Sequence, residues 1–204
     1  MKRAALITGG VYTGLKKIED CDFIIACDRG YEYCMENDIR PDLLIGDFDS
    51  YRKQVPDDIE VIRLPVMKDD TDTMHAYREV VGRGFDEVYL YCALGGRLDH
   101  SYANIQCAIF GARNGIDTIF INDEQIIVTD KDEIVLERKE GYGFSLFAAD
   151  EITDLSILGG KYEVHDICLR NDFPLGQSNE WKDDRVKIRK GKGVLIIIES
   201  KLSV

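Results

Sequence analysis

Aspartates recur just past the ends of short apolar runs. Asp28 follows Phe23 to Cys27, and Asp47 and Asp49 follow Leu43 to Ile45. Asp69, Asp70 and Asp72 come after Val61 to Leu64 and the Pro65 turn, while Asp99 comes after Val88 to Ala93, across Gly95-Gly96. Carboxylates are hard oxygen ligands, and Mg²⁺ is held by one or two of them together with phosphate oxygens. Transfer of phosphoryl-type groups depends on positioning and charge neutralisation more than on covalent chemistry. Asp47-Phe48-Asp49 can aim both carboxylates at one ion where the chain turns out of a strand. Like charges collected at one edge repel each other unless a cation offsets them, so the set as a whole points to a metal or a cationic substrate.

Taken singly, each residue also has an ordinary structural reading. Asp69 or Asp70 is expected as a cap for a helix starting near Thr71, and Asp99 as a cap for the helix running to Ala112. Asp47-Phe48-Asp49-Ser50 has the composition of a turn. Lys68 and Arg97 flank the acids as candidate phosphate ligands, Arg97 being the better suited to a two-point contact. Gly95-Gly96 lets backbone N–H groups approach a phosphate with no side chain in between, or is an ordinary strand-to-helix turn. His100, beside Asp99, either orients a neighbour or caps the helix. There is no G-x-x-x-x-G-K-[ST], G-x-G-x-x-G or H-E-x-x-H pattern.

The apolar runs that deliver these residues are short and apolar throughout, as parallel strands covered on both faces are. They end with Thr118 to Ile121. Between some of them the apolar spacing becomes helical, with Met74, Tyr77, Val80 and Val81 on one face and Tyr102, Ile105, Ile109 and Ala112 on another. Strand, helix, strand in this order predicts a layered α/β domain with right-handed crossovers and a mostly parallel sheet. In such sheets ligands bind outside the carboxyl ends of the strands, where the aspartates fall.

Beyond residue 123 the helical spacing stops. Gln125 to Thr129, Glu133 to Arg138, Phe144 to Ala148, Thr153 to Ile157, Tyr162 to Leu169, Arg185 to Arg189 and Val194 to Glu199 read as strands. Gly141, Gly159-Gly160 and Gly191 to Gly193 supply turns, at the spacing of a β-sandwich. Two domains are expected, residues 1–123 and 124–204.

A formal charge of −12 over 204 residues disfavours nucleic acid and anionic membrane as partners. It allows ATP only with the help of a cation or local donors. The six cysteines form no C-x-x-C pair, so structural zinc is not expected. Ala4 to Ile7 is too short for the apolar core of a signal peptide, and no segment has the length of a membrane span. The expected compartment is the cytoplasm, with reduced thiols.

Five segments, in order, resemble the motifs of thiamine pyrophosphokinases. They are Ala26-Cys27-Asp28-Arg29-Gly30, Pro41-Asp42-Leu43-Leu44-Ile45-Gly46-Asp47-Phe48-Asp49-Ser50, Lys68-Asp69-Asp70-Thr71-Asp72, Gly95-Gly96-Arg97-Leu98-Asp99-His100 and Gly176-Gln177-Ser178-Asn179-Glu180. The match spans nearly the whole chain. It departs at Cys168-Leu169, where the family tends to carry Gly-Leu, and in extra residues before Pro174-Leu175.

The resemblance implies an ATP-binding α/β domain, a thiamine-binding β-sandwich and a homodimer with thiamine sites at the subunit interface. It implies transfer of diphosphate from ATP to the thiamine hydroxyl with Mg²⁺. Asp47, Asp49 and Asp72 correspond to metal or phosphate residues, and Asp28 and Asp99 to further members of the acidic cluster. Arg29, Gly30, Lys68, Asp69, Thr71, Gly95, Gly96, Arg97 and His100 belong to the ATP motifs, and Ser178 and Asn179 correspond to thiamine contacts.

Asp72 is the first candidate to accept or orient the hydroxyl proton. Trp181, in a polar stretch, is expected to stack on the flat, cationic thiamine, the alternative being a Trp packed at a strand end. Two other readings remain: a phosphatase of the haloacid dehalogenase type, from Asp47-Phe48-Asp49-Ser50, and a sensor that binds nucleotide or thiamine without turnover.

Overall fold

The computed structural model describes residues 1–47, 58–65 and 69–202. The chain divides into two compact units, Met1–Asn122 and Asp123–Val204.

In the first unit the apolar runs are strands β1 (Arg3–Ile7), β2 (Phe23–Cys27), β3 (Leu43–Gly46), β4 (Glu60–Arg63), β5 (Glu87–Tyr91) and β6 (Asp117–Ile121). They pair in parallel in the order β4-β3-β2-β1-β5-β6. The chain therefore steps from β1 one way to β4, then returns to place β5 on the other side of β1. That reversal opens a crevice beyond the carboxyl ends of β1 and β5, the usual ligand position in an open α/β sheet.

Among the described residues three α-helices accompany the strands: α1 (Gly30–Glu36), α2 (Asp72–Gly82) and α3 (Leu98–Arg113). The apolar spacing located α2 and α3 but misjudged the packed face of α3. Tyr102 is exposed, while Cys107, Ala108, Gly111 and Ala112 are buried. The reason is size. A Cβ on Gly111 would lie 2.7 Å from the Tyr77 ring, so α3 meets α2 through its small side chains. Tyr77 itself is fully buried and its hydroxyl shares a 2.8 Å hydrogen bond with that of Thr118. Among the described residues no helix is long and apolar enough to cross a membrane.

The second unit contains β7 (Gln125–Thr129), β8 (Glu133–Glu137), β9 (Tyr142–Ala148), β10 (Glu151–Leu158), β11 (Val164–Arg170), β12 (Arg185–Arg189) and β13 (Leu195–Lys201). β13 pairs antiparallel with β7 and β9, and a second antiparallel sheet runs β11-β10-β12-β8. Alternate residues of both sheets, among them Leu136, Leu146, Leu155, Val186 and Ile197, share one core, which makes the unit a β-sandwich.

Candidate active site

The ends of β1, β2 and β5 are shaped to hold the loops that leave them. Past β1, the Thr8 N–H donates to Tyr91 O and the Thr8 hydroxyl to Cys92 O at 2.7 Å, fastening the outgoing loop to β5. A Cβ on Gly10 would sit 2.1 Å from Cys92 O, so only glycine allows this approach. Past β2, Asp28 adopts φ 45°, a left-handed conformation that aspartate tolerates better than most residues, and its N–H donates to Ile45 O. Gly30 opens α1 with no room for a side chain, because a Cβ there would lie 2.0 Å from Ile7 O.

Before α2, the Thr71 hydroxyl accepts the Met74 N–H at 3.1 Å. Thr71 is thus the cap expected of Asp69 or Asp70, and Asp72 is the first helical residue. Asp70 instead faces His75 at 2.7 Å and Arg78 at 2.5 Å on α2. Cys27 Sγ lies 3.8 Å from Asp72 O, and the Cys107 sulfur 3.8 Å from the Thr71 hydroxyl. Burial pushes the Cys107 thiol up, so it is a neutral packing group.

Past β5, Gly95 and Gly96 take φ 83° and 66°, leading to Arg97 at the N-cap position of α3. Arg97 makes no side-chain cap bond, and Asp99 lies in the first turn instead of capping it. The Arg97 guanidinium forks the Asp99 carboxylate, Nε to Oδ1 at 3.1 Å and Nη2 to Oδ2 at 2.5 Å. That contact holds Asp99 below the ordinary carboxylate range, helped by the His100 N–H donating to Oδ1, and raises Arg97.

These ends converge on one cleft of about 680 Å³. Asp28, Arg29, Thr71, Asp72, Gly95, Asp99 and His100 line it, as the sequence leads one to expect, together with Asp70. Gly30, Asp47, Asp69, Gly96 and Arg97 do not line it. Asp47 is half-buried directly after β3, and Arg97 bears on the site through Asp99. Asp49 and Lys68 lie outside the described residues. Sequence reasoning misses Thr8, Gly9, Gly10, Ala93, Ala103 and Asn104, which also line the cleft. Thr8-Gly9-Gly10 directly after the run Ala4 to Ile7 is the signal that could have found the first of them. Asn104 is set by its amide donating to Ala93 O at 2.8 Å.

The cleft's donors suit a hard cation, since Asp28, Asp70, Asp72 and Asp99 offer only oxygen. Among the described residues no three acidic, histidine or cysteine side chains close into a ready-made cage.

In the second unit one expectation is corrected. Trp181 is 7 % exposed, its indole N–H donates to Leu136 O at 3.2 Å, and its ring meets Phe144 edge-on at 4.9 Å. It is a core residue of the sandwich and presents no free face for stacking. Asn179 is likewise 5 % exposed, with its amide turned toward the backbone of Tyr162. Ser178 is exposed, at φ 61°, with its N–H donating to Ser145 Oγ.

Fold and cleft together define an α/β protein with an acidic ligand site at the switch point of a parallel sheet, carried on one chain with a β-sandwich. Residues 15–120 match the family model for the catalytic domain of thiamin pyrophosphokinase. The thiamine pyrophosphokinase of Bacillus subtilis is 28% identical over 185 residues, 86% of each chain. The crystal structure of thiamine pyrophosphokinase from Bacillus subtilis is similar over 98% of this chain and 99% of that one, with TM-score 0.86 and 25% identity. That of thiamin pyrophosphokinase from Geobacillus thermodenitrificans shares the fold, with TM-score 0.81 and 23% identity over 98% of both chains. The chain belongs to the thiamin pyrophosphokinase family, and the enzyme activity that goes with it is the formation of thiamine diphosphate.

Proposed function

We propose that the cleft of the first unit binds ATP with a divalent cation and that diphosphate passes from it to the thiamine hydroxyl, releasing AMP. The observation that carries this reading is the convergence of Asp28, Asp72 and Asp99 with the Gly9-Gly10 and Gly95 backbone on one cleft. Asp72, Asp47 and Asp49 would hold Mg²⁺, with Asp28, which lines the cleft, as a further candidate. When bound, the ion supplies positive charge against the phosphate oxygens. Gly9, Gly10 and Gly95 leave their backbone open to the phosphates.

Asp72 accepts or orients the hydroxyl proton while the new O–P bond forms at the β-phosphorus and the bond to the α-phosphate oxygen breaks. Arg97 holds Asp99 in place through its two-point contact. Thiamine is held by the second unit, with Ser178 as a contact. The enzyme works in the cytoplasm as a homodimer, each thiamine lying between the first domain of one subunit and the second domain of the other.

Mass spectrometry of a mixture of enzyme, ATP, Mg²⁺ and thiamine tests the reaction. Thiamine diphosphate and AMP in equal yield are expected. Inorganic phosphate released without thiamine would favour the phosphatase reading instead, and binding without any product would favour the sensor.

A further inference from the structure

The burial of Trp181 leaves open which ring of the second unit meets a flat cation. The turn between β10 and β11 supplies one. Tyr162 is 59 % exposed. Its backbone is clasped on both sides by the buried Asn179 amide, with the Tyr162 N–H donating to Oδ1 at 3.0 Å and Nδ2 donating to Tyr162 O at 2.8 Å. Asn179 is itself fixed, because its own N–H and C=O exchange hydrogen bonds with Phe144 on β9 at 2.8 and 2.9 Å. The Glu180 N–H also donates to Oδ1, at 2.9 Å.

The rest of the turn is bound to the same segment. The Lys161 N–H donates to Glu180 O, and the N–H groups of Lys182 and Asp183 donate to Gly159 O. Gly160 is needed for this closeness, since a Cβ there would lie 3.0 Å from Asn179 Nδ2. An exposed aromatic ring is thus mounted on a turn with little freedom left. The ordering entropy that a mobile turn would lose on binding is already spent in folding. The ring face also draws a cation within this chain. The Lys161 ammonium lies over it, 5.9 Å from its centroid, and is paired with Glu180 at 2.6 Å.

We propose that Tyr162 provides the aromatic face on which the aminopyrimidine and cationic thiazolium of thiamine lie, and that Asn179 is its positioning residue. This rests on the reading that the second unit holds thiamine. Asn179 then acts on substrate through the Tyr162 backbone. Glu163, on the same turn, accepts the Gly159 N–H at 2.9 Å and ties the turn further.

The test is steady-state kinetics with both substrates varied. Tyr162→Ala is expected to raise the thiamine KM about tenfold or more, the scale of a lost ring–cation contact. The ATP KM and the melting temperature should stay unchanged. Tyr162→Phe and Tyr162→Trp should restore the thiamine KM, because the face matters and the hydroxyl does not. Asn179→Ala should raise the thiamine KM in the same direction. Combined with Tyr162→Ala it should add nothing further, whereas a merely structural Asn179 would add its own effect. An active Tyr162→Ala enzyme with an unchanged thiamine KM, or with both KM values raised equally, overturns the assignment alone. A wild-type enzyme that makes no thiamine diphosphate overturns the parent reading and this inference with it.

Discussion

A side chain at Gly46 would put its Cβ 1.9 Å from Oδ1 of Asp28. The bare end of β3 is therefore the space in which a cleft carboxylate rests. Gly46→Ala should displace the Asp28 carboxylate, the movable member of the pair, while β3 keeps its pairing with β2 and β4. Misplacing a positioned group by about 1 Å can cost on the order of 10²-fold. The kcat/KM for ATP is expected to fall by about that factor with the circular dichroism spectrum retained. Unchanged kinetics would mean that Asp28 has no part in the site.

Asp72 begins α2, but the helix is capped by Thr71. Removing its charge should therefore spare the fold and harm the chemistry. Asp72→Asn is expected to lower kcat by about 10²–10⁴-fold, the range for loss of a proton acceptor. Measured kcat near that of the wild type would exclude Asp72 as an essential base.

Trp181 now answers to packing. Trp181→Ala should cost about 3–5 kcal/mol, as large-to-small changes in cores do. A urea midpoint would show it as a broad loss of stability, with no selective rise in the thiamine KM. A stable variant with only thiamine binding impaired would restore the stacking role.

Glu199 offers a pH test of the sandwich. It is buried on β13 with Lys139 at 3.8 Å, and desolvation raises its carboxyl above the ordinary 4.5. The folded state thus binds the proton more tightly than the unfolded chain. The contribution is full below the unfolded value and is lost as pH rises through the raised folded one. Glu199→Gln, a neutral copy, should melt higher than the wild type at pH 7, by on the order of a degree or two. The gap should close as pH falls toward 4.5. Equal melting at pH 7 would show that the lost pairing with Lys139 offsets the relief of desolvation.

Much of the fold and cleft is legible in the residues. β1, β2, β3 and β5 are apolar on both faces, and their ends can be read because acids and glycines begin where the apolar runs stop. Other features depend on partners remote in sequence. Trp181 sits among polar neighbours, yet its ring is enclosed by Phe144 and Leu136 from other strands. α1 is a single short stretch with no full apolar repeat. Asp70 reads as a cap until α2 folds and brings His75 and Arg78 to it. Asn179 looks like a ligand contact because its inward orientation is decided by the Tyr162 backbone.

The most direct check is to remove the divalent ion. Turnover of ATP and thiamine should be abolished in excess EDTA and return in full when Mg²⁺ exceeds the chelator, with the requirement for Mg²⁺ shifted to higher concentration in Asp28→Asn. Full thiamine diphosphate formation in EDTA would contradict an acidic cleft that works through a bound cation.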